Sequence, residues 1–194
     1  ESHLPDPIGP GFLTPNQKAE RYLRESLCGA GLQEISTFSL VPNDSKEPDM
    51  VAIRNPLLAE TSHLRTNLYE EHLNVCRRNL QSGQKGCWIF EIGNIYFKSV
   101  ESIVQKSILA GLISGESRME KWAVSGKSNP LNYFEARGKL AQALMSLKLD
   151  INDQKLTKVE GLLHPGKAAN LYVEGRNIGK FGQVHPSIVN DREL

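Results

Sequence analysis

The chain has 194 residues, 39% hydrophobic and 23% charged, a balance that excludes a disordered chain and is enough for one buried core. With 23 Lys and Arg against 22 Asp and Glu the net charge is +1, which excludes a global field drawing the protein to nucleic acid or an anionic membrane, so any RNA contact is local. Cys28, Cys76 and Cys87 are scattered, with no C-x-x-C spacing, which argues against a disulfide framework and a thiolate zinc site and fits a reducing, cytoplasmic location.

In chain order, Glu1-Ser2-His3 offers neither an initiator Met nor a signal peptide, and no stretch approaches the roughly 20 apolar residues of a membrane span, so the chain is expected to be a piece of a longer one. Pro5, Pro7, Pro10, Gly9 and Gly11 make residues 1–13 an extended linker, with one module over 14–194. Thr14-Pro15-Asn16-Gln17 predicts a helix start with a Thr cap, Pro at the first helical position and Gln placed for a capping box. Ala19, Tyr22, Leu23, Ser26 and Leu27 then recur on one helical stripe, and Gly29 and Gly31 close the helix.

Residues 34–40, rich in β-branched and aromatic side chains and halted by Pro42, predict a strand, and Met50 to Arg54 a shorter one. Ser62 is expected to cap a second helix carrying Leu64, Leu68, Leu73, Cys76 and Leu80, ended by Gly83. Trp88 to Phe97 and Ile108 to Ile113 predict strands buried on both faces, joined by a polar crossing. Asn132 caps a third helix with Phe134, Ala141, Leu144 and Met145 on one side, and Gly138 within it suggests close packing. Strands over Leu156–Val159, Ala168–Val173 and Ile178–Val184 follow, with Glu174-Gly175-Arg176-Asn177 as a hairpin loop and the two His-Pro steps, at His164 and His185, as turns or boundaries. This mixed order predicts an α+β fold, a sheet with helices packed on it.

Paired carboxylates, nucleophile–base pairs, metal-ligand sets and phosphate-cradling glycine loops are not found with convincing spacing, so no catalytic residue and no metal site is expected. His63, His72, His164 and His185 stand beside ordinary turn or helix-surface signals and are expected to be structural or solvated, as are the adjacent Arg77 and Arg78.

Seven ordered blocks nevertheless resemble a family. Asn55-Pro56-Leu57, Leu64-Arg65-Thr66-Asn67-Leu68, Arg78-Asn79-Leu80 and Phe90-Glu91-Ile92-Gly93 are followed by Phe134-Glu135-Ala136-Arg137-Gly138. Leu163-His164-Pro165-Gly166-Lys167-Ala168-Ala169 and the run from Ile178 to Pro186 complete the set. Together, over nearly the whole chain, they are similar to the catalytic-like, B6–B7-type module of the bacterial phenylalanyl-tRNA synthetase β subunit. The resemblance implies a class II synthetase-like antiparallel sheet flanked by helices, inside a cytoplasmic heterotetrameric ligase whose whole enzyme uses ATP and magnesium. In active members of the class, the strand that begins Glu-Ile-Gly continues to a phosphate-binding Arg and then to an acidic residue; the alignment places Phe97 and Ser99 there. Gln183 and Val184 likewise follow Gly179 and Gly182 where an active enzyme supplies a nucleotide-stacking Arg. Phe97 has no donor for a phosphate charge, so this domain is expected to bind no nucleotide or cofactor itself. The implied partners are the catalytic α subunit and, in the whole enzyme, tRNA(Phe). The implied interface residues are Tyr22, Leu23, Ser26, Leu27 and Phe38 of the first helix and strand, with Asn55 and Arg65 bounding a second, weaker candidate loop. Because the chain stops at Leu194, one sheet edge is expected to be incomplete.

Overall fold

The computed structural model describes residues 9, 11–43, 49–100, 102–116, 130–156 and 161–194. Of the expected linker, only Gly9 and residues 11–13 fall among these, and of the strand expected at Leu156–Val159 only Leu156.

Helix α1 spans Pro15–Gly29 and begins as expected: the Gln17 backbone N–H donates to Thr14 Oγ1 at 3.3 Å, while Thr14 N–H donates to Gln17 Oε1 at 2.9 Å. It ends at Ala30, and Gly31 then turns the chain at φ 96°. The single strand expected over 34–40 is instead two dipeptides, β1 at Gln33–Glu34 and β2 at Leu40–Val41. Ile35 still donates to Phe90 O at 2.9 Å, but the Thr37 carbonyl, a group that a ladder would have used, accepts from the buried Arg65 side chain at 3.3 Å.

Strand β3 (Val51–Ala52) and strand β4 (His63–Leu64) complete a small sheet of order β2-β4-β3. The helix expected from Ser62 starts later, as α2 over Tyr69–Gln81. Leu64 and Arg65 are extended because Leu64 pairs with Leu40 and Arg65 N–H donates to Ser39 O at 2.9 Å; Asn67 Oδ1, not Ser62, accepts an N–H of the first turn, that of Glu70 at 3.2 Å. Gly83, at φ 84°, follows the helix end.

Strands β5 (Gly86–Lys98) and β6 (Ile103–Gly115) form a continuous antiparallel ribbon, and β1 joins β5 in parallel, giving the order β1-β5-β6. The connection between β5 and β6 is a tight turn closed by Ser99 N–H on Ser102 O at 2.8 Å, not a crossing. Residues Cys87 to Glu91 are buried, but β6, in the outer position, is only half-buried, correcting the expectation of two equally buried strands.

Alternation along β5 assigns its two faces. Phe90 and Ile92 meet Leu27, Ala30 and Leu32 from α1 and its exit, together with Ala143 of helix α3 (Tyr133–Met145); Cys87 and Ile89 meet Cys76, Val75 and Leu80 of α2. The sheet is therefore sandwiched between α1 with α3 on one side and α2 on the other. In α3, capped by Asn132 as expected, Ala143 and Leu144 are the buried residues while Phe134 and Met145 are exposed; a Cβ at Gly138 would meet nothing within 4 Å, so that glycine is not a close-packing position.

A third sheet, β7-β8-β9, comprises Asn152–Lys155, Leu163–Val173 and Arg176–Val184. Its hairpin turn is the pair Glu174-Gly175, at φ 48° and 76°, with Arg176 and Asn177 already in β9. His164-Pro165-Gly166 lies inside β8 as an irregularity between Leu163 and Ala168, whereas His185 caps the short helix α4, Pro186–Asp191. Arg137 of α3 pairs with Asp153 at 2.5 Å and Tyr133 meets Phe181 edge-on, joining α3 to this sheet. Among the described residues no helix is long and apolar enough to cross a membrane.

Candidate subunit interface and the buried charges beside it

The seven implied interface residues divide by burial. Leu27 is 3% exposed and belongs to the core, and Leu23 is half-buried against it, so these two hold α1 to its own sheet. Ser26 is half-buried too, its hydroxyl hydrogen-bonded to that of Ser146 beyond α3. Tyr22, 59% exposed, Phe38, 82% exposed, and Asn55 face outward. Every residue of α1 from Pro15 to Tyr22 is exposed. Water competes for the backbone of an uncovered helical half and gives it no packing, and helices of this length draw most of their stability from a packed face. Its ion pairs, Arg21–Glu25 at 2.9 Å and Arg24 with Glu20 at 2.9 Å and Glu34 at 2.6 Å, are exposed or half-exposed and contribute little.

Arg65 is not a surface donor. Its side chain is 4% exposed and sits against the equally buried Glu91 of β5, with Nη1 2.9 Å from Glu91 Oε1. The same nitrogen donates to Thr37 Oγ1 at 2.7 Å and Thr37 O at 3.3 Å, and Nε donates to Asn94 O at 2.9 Å. The Thr37 hydroxyl in turn donates to Glu91 Oε2 at 2.6 Å. Burial pushes the Glu91 carboxyl up, but Thr37 and the Arg65 guanidinium outweigh it and hold the carboxyl below its usual range.

His72 of α2, placed by sequence among helix-surface signals, is 1% exposed and completes this cluster, its Nε2 3.4 Å from Glu91 Oε2. Burial lowers its pKa, and Glu91 restores only part of the loss. The neutral ring directs Nε2–H at the carboxylate, and Nδ1 is buried without a hydrogen-bond partner among the described residues. Gly93 leaves room for the cluster, since a Cβ there would stand 2.6 Å from Arg65 Nη2 and 2.8 Å from Glu91 Oε1. One signal for this site was present in the sequence: an acid within a strand otherwise read as core demands a buried partner.

Phe97 lies far along the ribbon, half-buried and paired with Val104, and Ser99 sits exposed in the turn that follows. Neither side chain brings a positive charge to that end of the sheet.

The arrangement of sheet and flanking helices is that of a class II aminoacyl-tRNA synthetase-like fold. Its likeness to Desulfitobacterium hafniense PylSc, a pyrrolysyl tRNA synthetase, has a TM-score of 0.62 at 12% identity and covers 93% of this chain and 62% of that one. Within that class, residues 1–194 match the sequence model of the phenylalanyl tRNA synthetase beta chain CLM domain, and the chain belongs to this family. It is 57% identical over 194 residues to the phenylalanine–tRNA ligase beta subunit of Prochlorococcus marinus (strain MIT 9313), covering 100% of this chain and 24% of that protein. It is 54% identical over 193 residues to the beta subunit of Parasynechococcus marenigrum (strain WH8102), with the same coverage of each. The chain thus spans about a quarter of the length of these relatives.

Proposed function

We propose that this chain is the B6–B7-type, catalytic-like module of a phenylalanyl-tRNA synthetase β subunit, which performs no chemistry and holds the catalytic α subunit. The assembled cytoplasmic ligase attaches phenylalanine to tRNA(Phe) using ATP and magnesium. The observation that carries this reading is the bare amino-terminal half of α1, a run of helix from Pro15 to Tyr22 left exposed among the described residues. Phe97 and Ser99, where the resemblance expects a guanidinium and a carboxylate, support the silent part of the reading. An attacked phosphate would find no positioned positive charge at either residue.

The test is co-purification of the full-length β chain with the α subunit. Tyr22→Asp, on the exposed face, leaves unfolding of the β chain unchanged and lowers the yield of complex about tenfold or more, as loss of an interface aromatic does. Undiminished association of that variant removes α1 from the interface.

A further inference from the structure

A buried ion pair is weak as a stabilising device, because apolar residues of the same volume often serve a core as well or better. Arg65 and Glu91 are both 4% exposed, so what their contacts fix in space is more informative than their strength. Apart from Arg65 Nε on Asn94 O and His72 on Glu91, those contacts meet on one short stretch. Thr37 is held through its hydroxyl by both side chains and through its carbonyl by Arg65, while the Arg65 backbone holds Ser39 O. The residue between them, Phe38, is left with its ring 82% exposed.

We propose that Arg65 and Glu91 are positioning residues that pin Thr37 and Ser39 so that Phe38 is presented, already ordered, as an anchor for an apolar pocket on the catalytic subunit. This rests on the interface reading above and deepens it. An aromatic ring on a fixed backbone loses little further freedom on docking, which is how preorganisation becomes affinity. Chain continuity gives the ring the same occupant as α1, because only β1, which packs against α1, separates the two in sequence. Gly93 belongs to the device, since any side chain there would displace the Arg65 fork.

A double-mutant cycle in the full-length β chain, with association to the α subunit measured at equilibrium, tests this. Phe38→Ala weakens association about thirtyfold, as loss of an aromatic anchor does. Thr37→Val, which removes the shared hydroxyl at constant shape, weakens it about tenfold, Thr37→Ser restores it, and in the Phe38→Ala background Thr37→Val has no further effect. If Thr37→Val does not fold, Arg65→Lys, which keeps the charge and loses the fork, takes its place in the cycle. An equal loss from Thr37→Val in both backgrounds overturns the proposal, because the hydroxyl then does not act through the ring. So does intact association of Phe38→Ala where Tyr22→Asp abolishes it, an outcome that leaves the interface reading standing. If both Phe38→Ala and Tyr22→Asp leave association intact, the interface reading itself falls.

Discussion

Replacing Glu91 by Leu removes the carboxylate and leaves the Arg65 guanidinium inside the protein, with Thr37 and Asn94 as its acceptors among the described residues. Breaking a buried pair from one side costs about 3–5 kcal/mol, because an uncompensated charge stays behind. At roughly 2–4 °C per kcal/mol for a chain of this size, the melting temperature falls by about 6–20 °C. Adding Arg65→Met withdraws the stranded charge. Two carbonyls then lose a donor, but the double variant is expected to lose no more than Glu91→Leu alone, a strongly non-additive result for side chains in direct contact. Urea unfolding followed by circular dichroism measures all three variants. A Glu91→Leu loss below about 1 kcal/mol, or a double variant equal to the sum of its singles, would refute the claim that this pair is desolvated and coupled.

Stability should also fall on acidification in a defined order. His72 and Glu91 both have folded pKa values below their ordinary 6.5 and 4.5, so the unfolded chain takes up protons first. The stabilisation is complete above the higher of these values and is lost as pH drops, His72 contributing first and Glu91 next. His72→Gln should flatten the pH dependence of the urea midpoint just below about pH 6.5, and an unaltered slope there would exclude the histidine. At Gly93, an Ala side chain would overlap Arg65 and Glu91 and should cost about 1–3 kcal/mol. Gly138→Ala, on an open helix face, should stabilise by up to about 1 kcal/mol; thermal melts distinguish the two signs.

The features legible in the sequence were those set by a few neighbouring residues. Thr14 and Gln17 specify the start of α1 between themselves, and Asn132 specifies that of α3. The later start of α2 was not legible, because Leu64 fits a helical stripe as well as it fits a strand, and its pairing with Leu40 decides the matter. Strand β7, Asn-Asp-Gln-Lys, has no apolar alternation; its pairing with β8 defines it as a strand. The charge cluster was the least visible part. Thr37, Arg65, His72 and Glu91 come from four separate stretches of chain, and apart from Glu91, an acid inside an apolar strand, each alone is an ordinary polar residue. The apolar stripe on α1 is legible but its division is not, since periodicity does not show that Leu27 turns inward while Tyr22 is left outside.

The long β5–β6 ribbon has a kinetic consequence. Its strands meet across one tight turn, so pairing can zip from Lys98 and Ile103 outward with little loop to close. β1 must instead find β5 from the far side of α2, Gln33 against Ile89, and in parallel orientation. During refolding, amide protons of the ribbon should therefore become protected from exchange before those of β1, with the first helix joining the sheet as a late arrival.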